Sequence, residues 1–136
     1  MDYLRGKHRW MWIVGAALAL ACAAASAIYL ALPRQADYGH LTGRWVRPDG
    51  GYILLIREIS VNGKIDASYL DPRPVNVSKA EASTKAGKVT VFVELRDHGY
   101  PGSFYTLTYD PDTDRLTGVY HHLGIGQDFN VVFVRK

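Results

Sequence analysis

Hydrophobic positions in this chain fall into two unlike patterns. Residues 10–32 form a largely apolar run of 23 residues without a charge, whereas from residue 41 onward apolar and polar residues alternate in short stretches separated by turn residues. The first pattern has the length of a bilayer-spanning helix, because roughly 20 apolar residues cross a hydrocarbon core. The second has the two-residue period of strands with one buried face.

Eight strands are predicted, at 42–47, 52–59, 64–70, 75–83, 88–96, 103–109, 116–122 and 128–135. The clearest is 88–96, where Val89, Val91, Val93 and Leu95 form one apolar face and Thr90, Glu94 and Arg96 the other. The weakest is 75–83, which is polar and rich in alanine. Between them stand Pro48-Asp49-Gly50-Gly51, Asn62-Gly63, Asp71-Pro72-Arg73-Pro74, Lys85-Ala86-Gly87 and the polar turn 110–114. Asn62-Gly63 predicts a two-residue hairpin loop, since both residue types tolerate positive φ. Links this short join antiparallel neighbours, parallel pairs needing long crossovers. The expected fold is therefore all-β, an eight-stranded antiparallel up-and-down barrel preceded by one N-terminal transmembrane helix; closure removes both exposed edges.

Parity predicts the inward faces: Tyr105, Leu107 and Tyr109; Leu116, Gly118 and Tyr120; Phe129, Val131 and Phe133. Strands of about six to nine residues with so many bulky side chains predict a filled interior. Connections in a meander alternate between two ends. Chain entry, Asn62-Gly63, 85–87 and 110–114 share one end; 48–51, 71–74, 97–102 and 123–127 share the other. The second end gathers Asp49, Arg73, His98, Tyr100 and Gln127, with His121 and His122 just below.

Leu41-Thr42-Gly43-Arg44-Trp45, then Val61-Asn62-Gly63-Lys64 and Ala67-Ser68-Tyr69, resemble the opening three strands of avidin-type barrels, and Gly43-x-Trp45 is similar to the Gly-x-Trp of lipocalins, within the broad calycin group. The resemblance implies that a basic residue near the chain end packs over the tryptophan; Arg135 on the last strand is the candidate. Gly43, Trp45 and Arg135 are thus expected to be structural. Of the biotin-pocket positions in that family Tyr69 alone is matched, and residues 33–136 hold no tryptophan besides Trp45. The resemblance therefore implies fold and not biotin.

Charge sets the expected orientation. Arg5, Lys7 and Arg9 precede the apolar run against the single acid Asp2, and positive flanks stay cytoplasmic. The expected organisation is a cytoplasmic tail at 1–9, a signal-anchor helix at 10–32, a linker at 33–40 and the barrel at 41–136, with the C-terminal domain periplasmic on a bacterial inner membrane. Two alternatives stand beside the retained anchor: cleavage at Ala25-Ser26-Ala27, or lipid attachment through Cys22 in the loose lipobox Ala19-Leu20-Ala21-Cys22. Gly15, Ala16, Ala19 and Ala23 make close helix approach within the membrane feasible. Residues 33–136 carry 13 Lys/Arg and 12 Asp/Glu, which lacks the basic excess of a nucleic-acid binder. The one cysteine lies in the apolar run, so the domain has no disulfide or thiolate metal site.

No constellation of catalytic residues emerges. His121 and His122, as strand neighbours, point to opposite faces and do not share one ion. Ser103 lacks the glycines of a nucleophile elbow, and Gly124-Ile125-Gly126 is too short for a phosphate loop. No metal, cofactor or enzymatic activity is expected. The candidate ligand- or partner-binding residues are Tyr69, His98, Tyr100, Tyr105, Tyr120 and His122. The expected function is a non-catalytic, membrane-anchored interaction or accessory subunit with a protein partner in or near the membrane. The alternative is a lipocalin-like barrel for a small molecule or lipid, with a small apolar ligand in its mouth. An apolar, open distal mouth favours the alternative; a closed barrel with an exposed apolar patch on one wall favours a partner.

Overall fold

A computed structural model describes residues 36–136. The predicted anchor at 10–32 and the tail at 1–9 lie outside the described residues. Among those described, no helix is long and apolar enough to cross a membrane.

The domain is an all-β, nearly closed antiparallel sheet of nine strands. In chain order they are β1 (Gly43–Val46), β2 (Ile53–Ile59), β3 (Ile65–Asp71), β4 (Arg73–Val75), β5 (Val77–Lys85), β6 (Lys88–Asp97), β7 (Tyr100–Asp110), β8 (Arg115–His122) and β9 (Gln127–Arg135). A 3-10 turn, Gly39–Leu41, precedes them. The spatial order is β4-β3-β2-β1-β9-β8-β7-β6-β5. β1 and β9 pair with Trp45 opposite Arg135 and Val46 opposite Val134, so the first and last strands meet in the sheet.

The eight expected strands are present, and the ninth is β4. Asp71-Pro72-Arg73-Pro74 was expected to be only a turn. The chain instead folds back for three residues against β3, pairing Tyr69 with Val75 and Leu70 with Pro74. Pro74 donates no backbone hydrogen bond, so it suits an edge position of this kind. The cost of β4 is incomplete closure. β3 and β5 meet through one bridge, Lys64 to Glu81, reinforced where the Ala82 amide donates to the Gly63 carbonyl at 2.7 Å. Gly63 must be glycine here: its φ is +86°, and an added Cβ would lie 2.1 Å from the Ala82 carbonyl oxygen.

The β2–β3 connection also departs from expectation. Gly63 donates to the Ser60 carbonyl at 2.8 Å and Ser60 to that of Lys64 at 2.9 Å, and Gly63 but not Asn62 has positive φ. This is the longer hairpin loop that ends in a left-handed glycine. Asn62 serves through its side chain, accepting from the Ser60 hydroxyl and the Lys64 amide.

Parity holds through the body of the barrel. Trp45, Leu54, Ile56, Val91, Val93, Leu95, Leu107, Leu116 and Phe133 are all buried on the inside. Gly118 is there because its Cβ would fall 1.9 Å from the Thr106 carbonyl oxygen. The chain-entry end is sealed by Leu41 and Trp45. The indole N–H donates to the Leu41 carbonyl at 2.8 Å, and the Arg135 guanidinium carbon sits 4.2 Å from the indole centre. Arg135 also grips Asp114 through Nε and Nη2, and donates to the Thr42 and His40 carbonyls. A Cβ on Gly43, whose φ is +133°, would stand 2.8 Å from Arg135 Nη1. The guanidinium-over-indole packing implied by Gly43-x-Trp45 is therefore present.

Candidate functional site

The opposite end is not filled. A cavity of about 320 Å³ opens there, lined by Arg47, Tyr52, Tyr69, Asp71, Gly99, Tyr100, Tyr105, Tyr120, His122 and Phe129. These residues come from the ends of β1, β2, β3, β7, β8 and β9 and from the β6–β7 turn. Most of them continue an inward face by one further step: Arg47 follows Trp45, Tyr52 precedes Leu54, Asp71 follows Tyr69, His122 follows Tyr120, and Phe129 precedes Val131. Tyr100 is the exception in parity. A backbone irregularity in β7 at Gly102, with φ +96°, and a register shift between Glu94 and Arg96 on β6 turn it toward the mouth.

Arg47 organises the floor. It is 7% exposed, yet its guanidinium makes a fork to Asp49, Nε to Oδ1 at 3.0 Å and Nη2 to Oδ2 at 2.6 Å. Nη1 donates to the Tyr105 hydroxyl at 2.9 Å, which shares a 2.6 Å hydrogen bond with the Tyr69 hydroxyl. The guanidinium carbon lies 4.6 Å from the Tyr52 ring centre. Burial works against the charge on Arg47, but the Asp49 carboxylate and the Tyr105 hydroxyl more than offset it, so its pKa is raised. In return the guanidinium holds the Asp49 carboxyl below its usual range.

The aromatic rings form a continuous lining. Tyr52 and Tyr69 are stacked with centres 6.3 Å apart, Tyr105 and Tyr120 are stacked at 4.5 Å, and Tyr105 meets Phe133 edge-on at 5.4 Å. Burial raises the Tyr69 pKa. It pushes Tyr105 up to about 12, against the pull of hydrogen bonds from Tyr69 and Arg47. At the rim the Tyr100 hydroxyl donates to Asp71; burial and that bond raise its pKa. The Tyr69, Tyr100 and Tyr105 phenols are thus held in their neutral form at physiological pH.

Of the residues expected to bind, Tyr69, Tyr100, Tyr105, Tyr120 and His122 are brought together around this one cavity. His98 is not: it is exposed in the β6–β7 turn, where its backbone amide donates to the Asp97 side chain. His121 faces outward, stacked on Phe104 at 4.4 Å and bonded to Asp128 at 2.9 Å. His122 lines the cavity, with Nδ1 buried and without a hydrogen-bond partner among the described residues. Ser103 is wholly buried and accepts from the Leu123 amide at 3.0 Å, a structural post for the β8–β9 turn. Arg47, Tyr52, Asp71 and Phe129 were not among the expected site residues. Two-residue spacing from Trp45, Leu54, Tyr69 and Val131 was the signal that marks them.

Among the described residues no three His, Cys, Asp or Glu side chains gather as a metal site requires. No protein-family model, no curated protein and no solved structure matches this chain.

Proposed function

We propose that this protein is a non-catalytic, single-pass membrane protein that presents a calycin-like barrel on the periplasmic side of a bacterial inner membrane and receives a compact ligand in the barrel mouth. The anchor and orientation rest on residues 10–32 and on Arg5, Lys7 and Arg9. Of the two functions expected from the sequence, the open mouth favours the ligand reading over the accessory subunit.

The observation that carries this reading is Arg47, a guanidinium almost excluded from water at the floor of an open cavity. A barrel end that needed only a plug would fill with apolar side chains, as the Trp45 end does. Ligand sites instead combine apolar walls with a few fixed polar groups, in cavities of about 300–1,000 Å³. The lining also revises the ligand's expected character. A wholly apolar occupant leaves the floor's donors without acceptors, at about 1–3 kcal/mol for each buried group.

The accessory reading keeps one specific support. Leu123, Ile125 and Phe129 are 52%, 58% and 40% exposed on and beside the β8–β9 turn, an apolar rim of the sort that a protein partner covers. Native mass spectrometry of the intact protein, gently extracted from its membrane, separates the two. The ligand reading expects a retained small molecule in the wild type and its loss in Arg47→Met. An empty barrel carrying a stoichiometric polypeptide supports the accessory subunit instead.

A further inference from the structure

The hydrogen-bonding inventory of the cup defines its ligand's chemistry. A guanidinium has five N–H donors, and Arg47 spends three of them on Asp49 and Tyr105. Tyr69 and Tyr105 hold two hydroxyl protons and share one hydrogen bond. Whichever of them donates, one phenolic O–H of the pair has no acceptor among the described residues. An unspent acceptor stands close by. Asp71 takes one bond from Tyr100 and makes no ion pair among the described residues, and the His122 ring lines the same cavity.

Charge narrows the class. Arg47 is already neutralised by its fork to Asp49, and Asp71 adds a negative charge at the rim. An anion gains no free cation here and meets a carboxylate. An apolar ring satisfies neither donors nor acceptors. A hydroxyl group donates and accepts through one oxygen, so a ring bearing several hydroxyls meets both kinds of demand at once. The faces of Tyr52, Tyr120 and Phe129 supply flat apolar surface for the C–H side of such a ring. The cavity is at the small end of the ligand-site range, which suits one ring rather than an extended chain.

We infer that the cup binds a neutral, hydroxyl-rich ring of monosaccharide size, either a free sugar or the terminal residue of a glycan. The inference rests on the ligand reading of the mouth and deepens it. Arg47 and the Tyr69–Tyr105 pair donate to ring hydroxyls, Asp71 accepts from them, and Tyr52 and His122 lie against the ring.

The test uses the full-length protein in a zwitterionic detergent, since sugar-headed detergents would compete. NMR titrations follow the tyrosine and histidine ring signals with glucose, galactose and N-acetylglucosamine, and with their β-linked disaccharides. Benzoate and indole serve as anionic and apolar probes. The expected result is saturable shifts of Tyr105 and His122 with at least one sugar, weakened tenfold or more in Tyr105→Phe. Tyr52→Leu, which leaves the Arg47–Tyr105–Tyr69 floor bonds in place, weakens the same sugar and guards against a folding defect in the first variant. Binding of the monosaccharide alone identifies a free sugar; tighter binding of the disaccharide identifies a glycan end. Shifts with indole or benzoate but with no sugar overturn the sugar class while leaving a ligand-receiving mouth. No shift with any probe overturns the sugar class too, and the receptor reading is then judged by the retained mass alone.

Discussion

Arg135 and Trp45 face each other across the seam where the last strand meets the first, with the guanidinium carbon 4.2 Å from the indole centre. One side chain thereby joins the first and last strands and ties the β7–β8 turn to the entry segment through Asp114, Thr42 and His40. Trp45→Ala is expected to destabilise the domain by about 3–5 kcal/mol, the scale for a buried tryptophan. A double-mutant cycle with Trp45→Leu and Arg135→Met isolates the pair, for which a coupling of about 0.5–2 kcal/mol is expected. Denaturant melts supply both numbers. Additive effects would mean that the stacking contributes nothing beyond packing.

Closure between β3 and β5 depends on Gly63. A matched pair of substitutions separates its conformational role from its steric one, because Gly63 and Gly87 both have positive φ, at +86° and +74°. Among the described residues a Cβ on Gly87 meets nothing within 4 Å, whereas on Gly63 it strikes the Ala82 carbonyl. Gly87→Ala should cost about 1–2 kcal/mol from backbone conformation alone. Gly63→Ala should cost clearly more, and should speed hydrogen exchange at the Ala82 amide. Equal costs would indicate that the Gly63–Ala82 contact does not hold the barrel shut.

Acid stability tests the Arg135 clamp. Hydrogen bonding from Arg135 holds the Asp114 carboxyl below its usual pKa. Its folded pKa lies under its unfolded value near 3.9, so the unfolded chain takes up its proton first. The contribution is complete above about pH 4 and lost as pH falls through the folded pKa. Melting temperature should therefore fall less steeply below about pH 4 in Asp114→Asn than in the wild type. Asparagine suits the site because Asp114 has φ +49°. Identical acid limbs would remove Asp114 from the account.

Alkaline titration probes the cup. Burial pushes Tyr105 up to about 12, above the unfolded value near 10. The stability it contributes is present below about pH 10 and lost as pH rises toward its folded pKa. Tyrosinate absorbance should rise in two stages, exposed phenols first and the cup phenols later, together with loss of structure. Tyr105→Phe should remove one phenol from the late stage. A single stage at the ordinary tyrosine pKa would mean that the cup is fully wet.

The barrel body was legible because its physics is local. Alternation at Val89 to Leu95 and at Leu116 to Tyr120 marks which face is buried, and short turns dictate antiparallel neighbours. Arg135 was implied by the resemblance of Gly43-x-Trp45 to lipocalins, and closure, which makes the first and last strands neighbours, brings it to the indole. The mouth was less legible. Arg47 continues the inward face of Trp45 at the end of the predicted strand 42–47, yet a charged residue at a strand end beside Pro48 reads as exposed. Its burial depends on Asp49 and on Tyr105, which lies 58 residues away, and no local pattern reports that pairing. Tyr100 was picked for its place in a loop, while the irregularity at Gly102 that aims it inward has no strong signature. β4 was hidden because two prolines in four residues read as a stop.

The central claim is that Arg47 and the Tyr69–Tyr105 pair form the floor of an occupied binding site. A crystal structure of the intact protein, purified without stripping from its native membrane, tests it most directly. Density for a compact molecule is expected inside the cup, within hydrogen-bonding distance of Arg47 and of the Tyr69 or Tyr105 hydroxyl. A mouth closed by collapse of Tyr52, Tyr120 and Phe129 onto Arg47, with density only along Leu123 and Ile125, would contradict it.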